Sequence, residues 1–96
     1  MSKRSITRKL AKNSKRLAAL RGDLEAIQEQ ARFLRDDAED MEVRAVVADN
    51  TGVSRDARQA REHAEAHRRE HDRVIAEIAE LTRRQDELLD ELTASS

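Results

Sequence analysis

The stretch ADNTGVS, residues 48–54, decides how the chain folds, because it separates two long segments with the same apolar spacing. Asp, Asn and Gly favour turns, and Asn or Gly can adopt the left-handed conformation that ends a helix. Ser54 can cap a following helix, and Asp56 lies in the first turn, where a negative charge is favourable. The stretch predicts a turn over residues 49–53 and a second helix that begins at residue 54.

Each segment beside this turn carries a heptad seam, in which apolar residues recur at alternating steps of four and three. The first seam consists of Ile6, Leu10, Leu17, Leu20, Leu24, Ile27, Ala31, Leu34, Ala38, Met41, Ala45 and Ala48, with Asn13 in its one gap. The second consists of Ala57, Ala60, Ala64, His67, His71, Val74, Ile78, Leu81, Gln85, Leu88 and Leu92. We expect helix 1 over residues 6–48 and helix 2 over residues 54–92, with a basic tail at 1–5 and a frayed tail at 93–96.

The two seams close against each other in one register when the chain doubles back at the turn. In that register Leu20 lies opposite Leu81, and Asn13 lies opposite Leu88. The predicted fold class is all-α, with residues 1–96 forming a single antiparallel two-helix coiled-coil hairpin. Two helices bury only a thin core, so the sequence leaves open whether two hairpins pair into a four-helix bundle.

The composition excludes several classes of function. Charged residues make up 41% of the chain and only one residue is aromatic, which suits long helices better than the core of a globular enzyme. The chain has no Cys, so disulfides and thiolate zinc sites are excluded. Two helices are not expected to form a concave pocket, and no catalytic constellation stands out. We therefore predict a protein that is not an enzyme, with no cofactor, no small-molecule substrate and no membrane span, and with the cytoplasm as its default location.

Three histidines, His63, His67 and His71, are spaced four residues apart on helix 2. Two of them lie on the seam in the alanine-rich half near the turn, where a ring could fill the space of a leucine pair. A buried neutral histidine resists protonation, so this half would loosen in acid. His63 and His67 could also chelate a metal ion, with Asp37 across the hairpin as a third ligand. Packing, a pH response and metal binding all remain open from the sequence.

The charges are unevenly distributed along the chain. Residues 1–21 carry eight basic residues and no acid, and their electrostatic surface is predicted at Lys9, Lys12, Lys15 and Arg16. The acidic run RDDAEDMEVR, residues 35–44, approaches the turn. An acidic-tipped hairpin resembles the N-terminal coiled coil of bacterial transcript-cleavage factors. That resemblance and the basic start imply an alternative function, a regulator that docks on a nucleic-acid machine such as RNA polymerase or the ribosome.

Apolar residues outside the seam indicate a contact surface for a partner. These residues are Phe33, Val43, Val46, Val47 and Val53. Contiguous apolar side chains that face solvent tend to mark binding sites. We therefore predict an interaction or adaptor module that binds a protein partner or a second copy of itself near the turn.

The ending AEIAELTRRQDELLDEL, residues 76–92, resembles small helical-hairpin proteins of actinobacteria whose function is uncharacterised. The resemblance covers about half the chain. It implies a coiled-coil hairpin and carries over no functional motif.

Overall fold

The protein is an all-α helical hairpin, as the seams predict. The computed structural model describes residues 2–95. Helix α1 spans Lys3–Ala48 and helix α2 spans Thr51–Ala94, and residues 2–95 contain no strand. The apolar spacing of the sequence accounts for the packing, because every seam residue except Ala48 is buried or half-buried.

The turn between the helices is shorter than predicted. Asp49 takes the left-handed conformation, with φ of 48°, and its N–H donates to the Ala45 carbonyl at 3.2 Å. Asn50 caps α2, since its Oδ1 accepts hydrogen bonds from the N–H groups of Gly52, at 2.8 Å, and Val53, at 3.3 Å. The prediction gave the left-handed position to Asn or Gly and the cap to Ser54. Asn50, and not Ser54, accepts the hydrogen bonds of the first N–H groups of α2, so the helix begins three residues earlier than expected.

Both helices extend further towards the chain ends than predicted. Ser2 caps α1, because its Oγ accepts a hydrogen bond from the N–H of Ser5 at 3.2 Å. Residues 3–5 are therefore helical instead of forming a tail, although Met1 lies outside the described residues. At the other end, α2 continues through Ala94, and the N–H of Ser95 still donates to the Glu91 carbonyl at 3.0 Å. Ser96, the last residue of the predicted frayed tail, also lies outside the described part.

The chain divides into two compact units, which we call the terminal unit and the turn unit. The terminal unit contains the described residues up to Leu24 and from Val74 onward. Its core is built from large aliphatic side chains, namely Ile6, Leu17, Leu20, Val74 and Leu88. Ile6 and Leu88 are only 1% exposed, so this unit holds the most completely buried large residues of the described chain.

A polar contact sets the register of the terminal unit. Asn13 Nδ2 donates to the Leu81 carbonyl at 2.9 Å and to Gln85 Oε1 at 2.8 Å. Gln85 Nε2 in turn donates to Ser14 Oγ at 2.7 Å. The predicted register placed Asn13 opposite Leu88, three residues further along α2.

The turn unit is Glu25–Arg73. Its fully buried residues are two alanines, Ala38 at 2% exposure and Ala57 at 5%. Alanine places little volume between helices, so this unit packs with smaller side chains than the terminal unit does. The contrast between a leucine-rich half and an alanine-rich half agrees with the prediction from the seams.

Candidate interaction surfaces

Three valines near the end of α1 form an exposed apolar surface, which we call the valine cluster. Val43, Val46 and Val47 are 64%, 84% and 81% exposed. Residues three and four apart on a helix are neighbours, so these side chains lie together on one side of α1. Val53 was predicted to belong to the same surface, but it is half-buried. It lies in α2 four residues before Ala57, in phase with the second seam, because Asn50 starts the helix early.

Phe33 is a second exposed apolar feature, separate from the valine cluster. Its side chain is 70% exposed. It lies ten residues before Val43 on the same helix, or about 15 Å along the axis. Acidic residues surround it at one- and two-turn spacings on the helix: Glu29, Asp36, Asp37 and Asp40. The one surface predicted from the sequence is therefore two surfaces of different character.

The turn unit contains an open groove between its two helix segments, which we call the alanine groove. Its volume is about 540 Å³, and the small side chains of Ala31, Ala38 and Ala64 line it. The expectation that two helices leave no concave pocket was wrong. Alanines at facing seam positions do not fill the space that leucines fill in the terminal unit. The alanines at these three seam positions were the signal in the sequence that could have predicted this groove.

Charged side chains flank the alanine groove. Four arginines contribute to its walls: Arg32, Arg35, Arg61 and Arg68. Three carboxylates, Glu39, Glu65 and Asp72, share the walls with them.

Several of these arginines have intramolecular partners. Arg61 donates to Glu42 across the hairpin. Arg68 lies 3.7 Å from Asp72, and Arg35 lies 3.6 Å from Asp36. Arg32 is exposed and forms no ion pair within residues 2–95. The walls of the groove therefore contain arginines that are already ion-paired and one arginine, Arg32, that is not.

The Glu42–Arg61 pair makes a small contribution to stability that depends on the charge of Glu42. The hydrogen bond from the Arg61 guanidinium lowers the pKa of the Glu42 carboxyl from its usual 4.5. A carboxyl with a lowered pKa in the folded state contributes stability above the unfolded value, and loses it as the pH falls through the folded value.

We expect Glu42→Gln to lower the urea midpoint of unfolding at pH 7 and to have no effect well below pH 4.5. The effect at pH 7 should be small, because the pair is exposed and water screens it. Glu62→Gln is the matched control, since Glu62 is exposed and has no ion-pair partner within the described residues. A difference between wild type and Glu42→Gln that persists unchanged into acid would contradict this assignment.

Two of the three histidines lie half-buried on the seam. His67 and His71 are half-buried, whereas His63 is exposed. The rings of His63 and His67 meet edge to face with centroids 5.1 Å apart. Within residues 2–95 no three His, Cys, Asp or Glu side chains form a group that could hold a metal ion. The predicted set of His63, His67 and Asp37 is thus not brought together.

His71 has a different surrounding from the predicted one. It lines the alanine groove, and its Nδ1 lies 3.2 Å from Asp72 Oδ1. The ring was expected to fill the space left by small residues on the facing helix. It borders that space instead, so the groove stays open beside it.

Part of the predicted basic surface lines a shallow depression in the terminal unit. The depression measures about 230 Å³, and the basic residues around it are Lys9, Lys12, Arg16 and Arg84. Arg16 is bound to Glu77 at 3.1 Å, and Arg84 to Glu87 at 3.2 Å. Lys15 is exposed but does not line the depression. Acidic residues of α2 therefore neutralise some of this charge, and nucleic-acid binding by the basic start stays a prediction.

Comparison of the chain with protein-family models, with curated proteins and with solved structures finds no significant match. Neither helix, over the described residues, is long and apolar enough to cross a membrane.

Proposed function

We propose that this chain is a non-enzymatic interaction module that binds a protein partner through the valine cluster. The observation that carries the proposal is the exposure of Val43, Val46 and Val47 side by side, while the seam residues of the same helix are turned inward. An apolar surface of this kind is removed from water when a partner covers it.

Helix stability does not account for the valine cluster. Valine is β-branched, and it forms helices less readily than the Ala, Glu or Arg that fill most exposed positions here. Most of the surface of each valine is exposed to solvent, so these side chains add little to the packing between α1 and α2. The fold does not explain why valines occupy these positions, whereas contact with a partner protein does.

The proposal is tested by capturing partners from native lysate on the immobilised chain and on its Val47→Glu variant. We expect Val47→Glu to reduce capture of the specific partner by about tenfold or more, because docking would desolvate the new carboxylate. Leu89→Glu is the matched control, since Leu89 is exposed on α2 in the terminal unit. Circular dichroism checks that both variants remain helical.

Equal capture by wild type and by Val47→Glu would overturn the proposal. So would an equal loss of capture in Val47→Glu and Leu89→Glu, because a surface specific to the turn unit cannot explain both.

A further inference from the structure

We infer that Phe33 of one copy of this chain docks in the alanine groove of a second copy. The inference rests on the proposed function to the extent that the chain works through protein contacts. It uses different surfaces from the valine cluster, and it names the occupant of the groove as a second hairpin.

The projecting side chain is suited to such a contact. Phe33 is the chain's one aromatic residue, and its ring stands largely in water. Large aromatic side chains dominate the energetics of protein interfaces when they enter a pocket. A solvated ring gives the hairpin no packing of its own, so the ring is available for contact with another molecule.

The groove is suited to receive it. Its alanines offer an apolar surface with space above them, and its volume of about 540 Å³ exceeds the roughly 150 Å³ of a cavity that can hold a benzene molecule. The groove and Phe33 belong to the same unit of the chain.

The charges around the two features are complementary. Of the four carboxylates around Phe33, Asp36 and Asp40 have arginine partners on α1, whereas Glu29 and Asp37 have none within the described residues. The groove carries four arginines and three carboxylates. Arg32 has no ion-pair partner within residues 2–95, so it can meet an incoming carboxylate without breaking an existing bond. Docking can bring Glu29 or Asp37 of one copy, which have no ion-pair partner within the described residues, to Arg32 of the other.

The positions of the ring and the groove set the symmetry of the contact. On α1, Phe33 is two residues from Ala31 and five from Ala38, which places it about 140–160° around the helix from these groove residues. One copy therefore uses one side to donate the ring and the other side to receive one. Such a heterologous contact continues from copy to copy, as a ring or an open chain, instead of closing as a two-fold dimer.

The test is light scattering of the full chain from about 10 μM to 1 mM. We expect the weight-average mass of wild type to rise with concentration, and the rise to weaken in high salt because the charges are exposed. Phe33→Ala should stay at the mass of one chain at every concentration. Ala64→Leu should do the same, because leucine fills the groove while keeping a strong helix former in place.

Mixing the two variants separates this contact from any other. Phe33→Ala retains the groove, and Ala64→Leu retains the ring, so an equimolar mixture should form a dimer that grows no further. Wild type that remains a single chain at 1 mM overturns the inference, and so does a mixture of the two variants that does not associate. Self-association lost in Val47→Glu but kept in Phe33→Ala also overturns it, while supporting the valine cluster as the contact of the proposed function.

Discussion

Replacing Leu88 with alanine is expected to lower the free energy of unfolding by about 2–5 kcal/mol. Leu88 is 1% exposed and belongs to the aliphatic core of the terminal unit. The substitution removes buried methyl groups and leaves a space that the helices cannot fully close. The hairpin core is thin, so we expect this single change to remove a large share of the total stability.

The neighbouring residue provides the control for this prediction. Leu89 is 46% exposed, and Leu89→Ala should change the free energy of unfolding by less than about 1 kcal/mol. Urea unfolding followed by circular dichroism, at one protein concentration, measures both variants. Equal losses at the two positions would mean that the seam does not determine which face of α2 is buried.

The double substitution Asn13→Leu, Gln85→Leu is expected to raise the free energy of unfolding by up to about 3 kcal/mol. Each leucine buries apolar surface worth about 1.5–3 kcal/mol at a seam position. Three hydrogen bonds are lost, from Asn13 to Leu81 and Gln85 and from Gln85 to Ser14. Each contributes only about 1 kcal/mol, because water offers the same partners in the unfolded chain. Thermal or urea unfolding measures the gain, and a net loss of stability would contradict the assignment.

The same variant should lose precision of register. A polar pair inside an apolar seam stabilises one alignment over its neighbours, because sliding the helices would bury the amides without partners. The chain has no Cys, so spin labels can be attached cleanly at substituted Ala11 and Thr82, which are exposed in the terminal unit. We expect a narrow distance distribution in the natural sequence and a broader one in the double-leucine variant.

Helix content, the buried faces and the hairpin could all be predicted from the sequence, because apolar residues spaced three or four positions apart are compatible with few structures other than a packed helix. The register could not be fixed in the same way. Asn50 and Ser54 are both good caps, and spacing alone does not show which one starts α2. In the structure Asn50 caps α2, and Asn13 donates to Gln85, a contact that the spacing did not predict.

The candidate contact surfaces could be predicted only in part. Exposure of Phe33 and the valine cluster follows from their positions outside the seam. The alanine groove was missed because the pattern distinguishes apolar from polar and ignores volume. Ala31 and Leu24 count equally in a heptad, although only one of them fills the space between two helices. The burial of Val53 was missed because it depends on the cap at Asn50.

The uneven distribution of large side chains opposes the order in which this chain can most easily fold. Contacts nearest the turn close short loops, as between Glu42 and Arg61, which are 19 residues apart. The contacts that bury leucines close much longer ones, such as the 72 residues between Asn13 and Gln85. Closing the longer loop costs about 1 kcal/mol more in chain entropy than closing the shorter one. The alanine contacts that form first, near the turn, offset little of this cost because they bury little apolar surface. We therefore expect the barrier to folding to be crossed when the two distant ends of the chain come together, because contacts near the turn alone bury little apolar surface.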